Sequence, residues 1–396
     1  MKILVQKFGG TSVKDDESRN AAKKHIIQAV EDDYKVIVVV SAIGRLGDPY
    51  ATDSLLSLVD GDQSLLDLRE RDLLLSVGET ISTTVFTNLL KREGLLASAF
   101  TGQDAGIITN EEFGNAKVER IETEAILNAF ETLDVVVVAG FQGVSEAGHI
   151  TTIGRGGSDT TAALLGKAFK AERIDIFTDV SGMMTADPRL VKQAKFLDVV
   201  SYQEVSNMAH EGAKVIHPRA VELAMQAGIP LRIRSTYQTV TDLGTLVTNS
   251  EQQVGHYRLV TGIAHVSDLV QFTIETENYS QKIIFSLLAN ASISVDFINI
   301  FPHQVVFTLV KQEAKLAKAI FAKENINIAT LENCAKVAIV GAGITGVPGV
   351  TSKIVTTLTE ADIDILQSAD SYTTIWILVA GDHLQTAVCA LHDTFL

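Results

Sequence analysis

The chain begins with a short apolar run that ends in a charged, glycine-rich turn, since residues 1–12 have the sequence MKILVQKFGGTS. The run Ile3–Val5 predicts a buried strand, and Lys7–Gly10 ends it. Glycines at the carboxyl end of a strand let backbone N–H groups approach an anion, and a lysine adds a mobile positive charge. The segment therefore indicates a phosphate site, although an ordinary strand-to-helix turn would also use glycine for a positive φ.

Apolar runs that alternate with helical patterns continue to about residue 235 and predict an α/β domain. Continuous apolar runs indicate strands buried on both faces, hence an open, mostly parallel sheet sandwiched by helices. Ligands of such sheets bind at the carboxyl ends of the strands. The strands that we predict are Val36–Val40, Val135–Ala139, Ile174–Thr178 and Leu231–Arg234. The helices that we predict are Ser18–Val30, Ser64–Leu90, Ala116–Phe130 and Ser158–Phe169.

Composition excludes several classes of protein. The 396 residues, of which 46% are hydrophobic, can bury two or three cores. A formal net charge of −15 argues against a nucleic-acid or membrane partner, because phosphate backbones and anionic lipids attract basic surfaces. Two distant cysteines, Cys334 and Cys389, predict no disulfide framework and fit the cytoplasm. No signal peptide and no apolar stretch of ~18 residues that would cross a membrane are predicted.

The last third of the chain repeats itself after a polar connector, Thr236–His256, with a boundary near residue 250. Gln281–Ile284 corresponds to Ser352–Val355, and Val305–Val310 (VVFTLV) corresponds to Thr374–Val379 (TIWILV), about 70 residues apart. We interpret this as a small α+β unit used twice; coincidental similarity of two apolar patterns is the alternative.

Residues 341–346, GAGITG, match the dinucleotide fingerprint G-x-G-x-x-G. We reject an NAD site, because a dinucleotide domain needs two βαβαβ halves and only about 50 residues follow. The repeat explains the segment without a nucleotide.

A second anion site is indicated by Thr151–Thr161 (TTIGRGGSDTT), which precedes an apolar helix. Ser158 or Asp159 is a suitable N-cap, and the helix amino terminus with its glycine N–H groups favours an anion. The guanidinium of Arg155 could hold a carboxylate with two hydrogen bonds. A plain capping box is the alternative, but it leaves Arg155 and the glycines without a role.

These motifs occur in an order that resembles the aspartokinases of the amino-acid kinase family. They are KFGGTSV (7–13), VSA (40–42), VGE (77–79), GRGGSD (154–159), TDVSG with ADPR (178–189) and GAKVIHP (212–218). The repeated tail resembles the tandem, ferredoxin-like ACT domains of those enzymes. The resemblance implies an amino-acid kinase fold over residues 1–245 and ACT domains over residues 262–333 and 334–396.

The resemblance also implies a reaction. Aspartokinases transfer the γ-phosphoryl group of ATP to the side-chain carboxylate of L-aspartate, giving 4-phospho-L-aspartate on the route to lysine, threonine, methionine and diaminopimelate. A carboxylate acceptor needs no general base, which fits the lack of a His–Asp or Ser–His arrangement in the sequence. Catalysis would then rest on positioning and charge neutralisation. Mg²⁺ would reach the site through the ATP phosphates, with no metal site made by protein side chains alone.

Residue roles follow from the matched motifs only as implications of the resemblance. Lys7, Arg155 and Asp159 would be the catalytic residues, with Lys7 on the transferred phosphoryl group and Asp159 orienting Lys7 or the substrate. Met184 departs from the family, which commonly has tyrosine there, but a thioether can still pack on adenine. The ATP-binding residues would be Lys7, Phe8, Gly9, Gly10, Ser41, Thr178, Asp179, Met184, Arg189, Lys214 and Val215. The aspartate-binding residues would be Thr52, Glu79 (for the α-ammonium), Arg155 (for a carboxylate) and Ser158.

Paired ACT domains imply feedback by an end-product amino acid, here lysine, threonine or diaminopimelate. We expect the effector near Asn278–Gln281, Ser294–Asn299 and residues 346–352, and a homodimer, or a higher assembly, formed through the ACT domains. The effector residues that we predict are Asn278, Ser280, Gln281, Asp296 and Asn299.

Two other functions stay open at this point. A related kinase for acetylglutamate would leave Glu79 without an α-ammonium to bind, and a catalytically dead amino-acid sensor would not need Lys7, Arg155 and Asp159. The length argues against a fusion with homoserine dehydrogenase.

Overall fold

The computed structural model describes residues 1–213, 215–249, 259–277, 279–344 and 347–396, which form two compact units. The first unit contains Met1–Met183, Phe196–Ala209 and the described residues of 215–249. The second unit contains Met184–Lys195, His210–Ala213 and the described residues of 259–396. Two short segments from the middle of the chain are thus part of the second unit.

The first unit is built on a large sheet and a small one. Its strands are β1 (Lys2–Phe8), β2 (Tyr34–Val40), β3 (Ala97–Phe100), β4 (Ile107–Thr109), β5 (Val118–Ile121), β6 (Val135–Ala139), β7 (Gln142–Ser145), β8 (Ile150–Thr152), β9 (Arg173–Thr178), β10 (Val199–Val200), β11 (Leu231–Ser235) and β12 (Thr245–Val247). The large sheet has the order β10-β12-β11-β9-β1-β2-β6-β3, and each neighbouring pair is parallel except β11 with β12. The small sheet has the order β5-β4-β7-β8. The mostly parallel sheet that the apolar runs predict is confirmed.

Helices cover the large sheet, and its central strands are buried on both faces. The VIVVV run of β2 and the VVVVA run of β6 are fully buried, as continuous apolar runs require. Phe8, Phe86 and Phe177 belong to the core between this sheet and its helices. The helices are α1 (Asp16–Glu31), α2 (Thr52–Ser57), α3 (Leu68–Arg92), α4 (Glu124–Ala129), α5 (Gly157–Phe169), α6 (Tyr202–His210) and α7 (Pro218–Ala227).

Two helix predictions are corrected. The segment Ala116–Phe130 is helical only in its last part, because β5 pairs with β4 in antiparallel fashion and takes up the first part. The predicted helix from Ser64 begins four residues later, at Leu68. Asp67 and Glu70 close its first turn as a capping box, in which each side chain accepts the backbone N–H of the other residue.

Within the described part of the chain, α3 is the single helix that is long and apolar enough to cross a membrane by length and composition. Half of its most apolar window is buried inside the unit, and Phe86 and Leu90 belong to the core described above. We interpret α3 as a core helix, because long buried helices of globular domains meet the same criterion.

The second unit is a six-stranded antiparallel sheet with two similar halves. Its strands are β13 (Gly262–Glu275), β14 (Asp296–Phe301), β15 (Gln304–Val310), β16 (Ala329–Val340), β17 (Gln367–Asp370) and β18 (Thr374–Ala380), in the order β14-β15-β13-β16-β18-β17. Its helices are α8 (Gln281–Asn290), α9 (Lys311–Lys323), α10 (Val350–Glu360) and α11 (Leu384–Phe395). Each half therefore has the strand–helix–strand–strand–helix order that the internal repeat predicts.

The long central strands β13 and β16 each serve both halves. The beginning of β13 pairs with the end of β16, whereas its later residues pair with β15 and with the beginning of β16. Accordingly, Ile263 and Val337 share one core, and Val270 and Phe272 belong to the other. The sequence boundaries 1–245, 262–333 and 334–396 stay a prediction.

The segment Met184–Lys195 is anchored in the second unit by its own side chains. Ala186 and Val191 are buried in the same core as Ile263 and Val337. The Thr185 carbonyl accepts the backbone N–H of Ile263 at 2.7 Å. This segment carries two of the predicted nucleotide-binding residues.

Candidate active site

A cavity of about 560 Å³ opens in the first unit where β1, β2 and α5 meet. It lies at the carboxyl ends of parallel strands, where α/β sheets bind their ligands. The structure brings all six predicted catalytic and aspartate-binding residues together with one predicted ATP-binding residue, Ser41, in its lining; the six are Lys7, Thr52, Glu79, Arg155, Ser158 and Asp159.

Lys7 and Asp159 form an ion pair inside the cavity. Lys7 Nζ lies 2.7 Å from Asp159 Oδ1, and each side chain is 13% exposed. The second carboxylate oxygen of Asp159 accepts the backbone N–H of His217 at 3.0 Å. Asp159 therefore has a fixed orientation, and it holds the Lys7 ammonium in the cavity with its charge balanced.

Different structural features explain why glycine occupies positions 9 and 10. A Cβ on Gly10 would lie 2.5 Å from the carbonyl oxygen of Gly44 and 2.6 Å from that of Ala42, because the turn packs against the loop after β2. A Cβ on Gly9 would lie 3.5 Å from Lys7 Nζ, an ordinary contact on the side that a phosphate would approach. Gly10 is thus required by packing, and Gly9 leaves space next to the Lys7 ammonium.

Helix α5 begins differently from the prediction. Its N-cap is Gly156, with φ of 71°, instead of Ser158 or Asp159. A Cβ on Gly156 would lie 2.1 Å from the ring of His217, so the position has room for glycine alone. The earlier start leaves the Asp159 side chain free to pair with Lys7, and it leaves Ser158 in the cavity wall.

Glu79 is a buried carboxyl group that lacks a partner on one side. It is 2% exposed; Oε1 accepts the Ala42 backbone N–H at 3.0 Å, and Oε2 has no hydrogen-bond partner. No cationic side chain in the described ranges pairs with it. Burial raises the pKa of Glu79 to about 8, although the backbone hydrogen bond from Ala42 acts in the opposite direction. This geometry suits an incoming ammonium group.

Arg155 is exposed at the cavity, and within the described residues it forms no ion pair. Its guanidinium is therefore available for a carboxylate, as the sequence suggests. Together, Glu79 and Arg155 place an acidic group and a basic group in one cavity, one for each end of a small zwitterion.

Three charged residues of the cavity were missed by the sequence analysis, Asp53 on α2 and Arg71 and Asp72 on α3. Asp72 is buried and holds the cavity wall, since its carboxylate accepts the Thr152 hydroxyl at 2.6 Å, the Thr152 N–H at 2.8 Å and the Gly114 N–H at 3.0 Å. The sequence gives little signal for Arg71 and Asp72, because they end a run of four charged residues, Arg69–Asp72, near the start of α3, and charged residues are mostly exposed.

The predicted nucleotide residues fall into three groups. Phe8 and Thr178 end the neighbouring strands β1 and β9, and Asp179 follows Thr178. Arg45, another residue that we missed, lies with its Nη2 atom 3.0 Å from Asp179 Oδ2. Val215 is partly exposed in a turn, and Lys214 lies outside the described residues.

The third group lies in the second unit. Met184 and Arg189 belong to the segment that is anchored there. The Arg189 side chain is 86% exposed, and its Nη2 donates to Asp187 Oδ2 at 2.6 Å.

The predicted effector residues lie on α8 and β14 of the second unit. Ser280 is the N-cap of α8, and Gln281 donates to the Phe301 carbonyl at 3.0 Å. Asp296 and Asn299 contact the other half, through Lys336 at 2.5 Å and Gln367 at 2.6 Å. Asn278 and Gly346, which belong to the predicted effector loops, lie outside the described residues.

Lys336 itself is buried, and its Nζ lies 2.9 Å from Glu211 Oε2. Burial alone would lower the pKa of Lys336, but the Glu211 and Asp296 carboxylates outweigh it and raise that pKa. A charge network therefore runs from β14 to the short segment His210–Ala213.

No group of three or more His, Cys, Asp or Glu side chains within the described ranges could hold a metal ion. Among the acidic groups at the cavity, Asp159 faces Lys7 and Asp72 accepts three hydrogen bonds, whereas Asp53 is exposed and Glu79 has one oxygen without a partner. These residues fit a Mg²⁺ ion that arrives with the nucleotide, since Mg²⁺ keeps several waters and is bound largely through substrate phosphates.

Comparison with known proteins agrees with this geometry. The chain matches the amino acid kinase family over residues 2–235 and the ACT domain over residues 329–393. It is 56% identical to aspartokinase 1 of Bacillus subtilis, covering 100% of this chain and 99% of the relative. It is 38% identical to the aspartokinase of Geobacillus stearothermophilus, covering 100% and 97%.

A solved structure agrees over the whole length. Aspartokinase III of E. coli, solved with aspartate and ADP in the R-state, has a TM-score of 0.79 and 27% identity and covers 99% of both chains. The same enzyme solved with lysine and aspartate in the T-state has a TM-score of 0.77. The chain therefore belongs to the amino acid kinase family, as one of the aspartokinases, ATP-dependent enzymes whose ACT domains support allosteric feedback.

Proposed function

We propose that the phosphoryl transfer of this aspartokinase takes place in the cavity of the first unit, with L-aspartate held between Glu79 and Arg155 and Lys7 at the transferred group. The observation that carries the proposal is the Glu79 carboxyl group, which is buried with one unpartnered oxygen and lines the same cavity as an unpaired arginine. Burial of a carboxyl oxygen without a hydrogen-bond partner raises the free energy of the unliganded protein, and a ligand that donates a hydrogen bond to it removes this cost.

The α-ammonium of aspartate supplies the charge that Glu79 lacks. Its binding converts the protonated carboxyl group into a carboxylate, because a nearby cation favours the ionised form. Arg155 takes a carboxylate of the substrate with two parallel hydrogen bonds. Thr52 and Ser158, in the wall of the same cavity, add hydroxyl groups for orientation.

Lys7 stabilises the charge that develops on the phosphoryl group in flight, while Asp159 holds the ammonium in position. Gly9, Gly10 and Ser41 line the approach of the phosphates, and Thr178, Asp179, Met184, Arg189, Lys214 and Val215 bind the nucleotide. A Mg²⁺ ion bound through the ATP phosphates would neutralise phosphate charge. The aspartate carboxylate attacks as it stands, because it is already ionised at neutral pH.

We assign the feedback regulation of enzyme activity to the second unit. An amino acid, with lysine, threonine and diaminopimelate as candidates, would bind near Ser280, Gln281, Asp296 and Asn299 together with the loop residue Asn278. The lysine-bound T-state of aspartokinase III of E. coli supports this class of effector. Binding would shift an equilibrium between two states of different activity.

We propose a cytoplasmic homodimer as the working form. The strand β14 lies at the edge of its sheet and exposes Ile298, Ile300 and Phe301, and an apolar edge strand favours pairing with another chain. Two free cysteines fit a reducing compartment. Size-exclusion chromatography with light scattering tests the dimer: Ile300→Asp should give a monomer, and Leu58→Asp, at an exposed position of the first unit, should not.

The function is tested by ADP release from Mg-ATP with L-aspartate, L-glutamate, N-acetylglutamate and carbamate as acceptors, and by trapping the acyl phosphate as a hydroxamate. We expect turnover with L-aspartate and its loss in Lys7→Ala and Arg155→Ala, while Arg92→Gln, an exposed control, stays active. Turnover with N-acetylglutamate instead would remove the role of Glu79. Amino-acid binding without any turnover would favour a sensor.

A further inference from the structure

A second cavity, of about 160 Å³, lies in the first unit on the sheet face that α1 covers. Gln6 on β1 and Arg232 on β11 line the cavity, and both pair in register with Asp175 on the strand β9 between them. The roof of the cavity includes His25 of α1. The sheet face is polar here, although the same strands are otherwise apolar and buried.

Three arginines line this cavity, together with one carboxylate, Asp32, which accepts Gln28 Nε2 at 3.0 Å. Asp175 accepts Arg173 Nε at 2.7 Å and Arg234 Nη1 at 3.3 Å, so a single carboxylate serves two arginines. The third arginine, Arg232, pairs with no carboxylate in the described part of the chain, and its buried Nε atom has no acceptor. A half-buried guanidinium without a counter-ion lowers the stability of the folded protein, and a bound anion would supply the missing counter-ion.

The same cavity has two buried acceptor atoms without donors. Gln6, 1% exposed, donates its Nε2 to the His25 carbonyl at 3.3 Å, which leaves Oε1 without a partner. His25, 3% exposed, lies with Nε2 3.2 Å from the Thr236 carbonyl, so Nε2 carries the proton and Nδ1 is a bare acceptor. Burial, together with the charge of Arg234, lowers the pKa of His25 to about 4, so the ring is neutral.

The unpartnered groups are thus of two complementary kinds, a cationic donor and two neutral acceptors. We propose that this cavity is a binding site for a small oxyanion that also carries a proton, such as hydrogenphosphate. Its charged oxygens accept from Arg232, and its protonated oxygen donates to Gln6 Oε1 or His25 Nδ1. An anion without a proton, such as sulfate, can accept hydrogen bonds from Arg232. It has no hydrogen to donate to Gln6 Oε1 or His25 Nδ1, so its oxygen lone pairs face the lone pairs of these two acceptors.

Two phenylalanines connect this cavity to the carboxyl ends of β1 and β9. The ring of His25 and the guanidinium of Arg234 both contact Phe177, at 4.5 Å and 5.1 Å, and Phe177 stacks on Phe8 at 4.5 Å. Phe8 follows Lys7, and Phe177 precedes Thr178. The site is nevertheless separate from the catalytic cavity, because the two linings share no residue.

The experiment is titration calorimetry of the full-length protein with inorganic phosphate and with sulfate, at pH 7 and constant ionic strength. We expect phosphate to bind more tightly than sulfate. Arg232→Gln should weaken phosphate binding about tenfold or more, because charged hydrogen bonds are lost. Arg92→Gln is the control, with the same loss of charge at an exposed position that does not line the cavity.

Lys7→Ala separates this site from the catalytic one. Phosphate binding that survives Lys7→Ala and fails in Arg232→Gln supports the proposal. Binding that is lost in Lys7→Ala and kept in Arg232→Gln overturns it, as does the absence of phosphate binding in the wild type. If Arg232→Gln does not fold, Gln6→Met decides: the preference for phosphate over sulfate should shrink, and an unchanged preference contradicts the proposed contact.

Discussion

Lys7 Nζ lies 2.7 Å from Asp159 Oδ1, and the other oxygen of that carboxylate is held by the His217 N–H. One carboxylate thus ties the catalytic strand β1 to the turn before α7. Because Asp159 orients the ammonium, Asp159→Asn should lower kcat about 10²-fold to 10³-fold while the thermal unfolding midpoint changes little. Asp16→Asn, at an exposed position, is the control for lost charge. A kcat within twofold of the wild-type value in Asp159→Asn would contradict the assignment.

The raised pKa of Glu79 should make kcat/KM for aspartate depend on pH. The unliganded enzyme holds the Glu79 proton until about pH 8, so kcat/KM for aspartate should rise between about pH 6.5 and about pH 8.5 as the carboxylate forms. Glu79→Gln should flatten this rise and lower kcat/KM about tenfold to 100-fold near pH 8. An identical pH profile in the variant would exclude Glu79 as the ammonium partner.

The same proton affects stability. The folded protein keeps it up to about pH 8, whereas an ordinary glutamate releases it near 4.5, so raising the pH between these values removes stability from the unliganded wild type. Glu79→Gln should therefore unfold at a higher temperature than the wild type at pH 8 and differ little below pH 4.5. Thermal unfolding at both pH values, with no aspartate present, measures this difference.

The two glycines of the first turn should respond differently to the same added methyl group. Gly10→Ala should destabilise the fold by about 1–3 kcal/mol, because its Cβ would meet two backbone carbonyl groups that cannot move aside easily. Gly9→Ala should keep wild-type stability and raise KM for ATP, since its Cβ takes space beside Lys7 Nζ. Urea unfolding and ATP kinetics of both variants test the pair, and equal stability loss would refute the distinction.

Lys336 offers a contrast between buried and exposed ion pairs. Lys336→Met leaves Glu211 buried without its cation and should cost about 3 kcal/mol. Lys318→Met breaks an exposed pair with Glu332 and should cost less than about 1 kcal/mol. The free energy of urea unfolding, measured for both variants, decides; similar losses would show that the Lys336 network contributes little.

Much of the lining of the proposed active-site cavity could be predicted, because its residues lie at the ends of buried strands or at the start of a helix within short, recognisable motifs. Lys7, Ser41 and Asp159 are of this kind. Asp72 could not be found, because its partners Gly114 and Thr152 are remote in sequence and it lies in a charged run, residues 69–72, that looks like an exposed helix start. The strand Val118–Ile121 was missed for a similar reason: its pairing with β4 outweighs a local pattern that also suits a helix.

The segment Met184–Lys195 falls within the span that matches the kinase family, but it belongs to the second unit, and its residues Ala186 and Val191 are buried in that unit's core. The catalytic and regulatory parts are consequently not interchangeable modules. Deletion of the chain after residue 258 would remove the apolar neighbours that bury Ala186 and Val191. Relief from feedback in this enzyme is therefore to be sought in point substitutions, and a grafted regulatory domain would have to recreate the pocket for this segment.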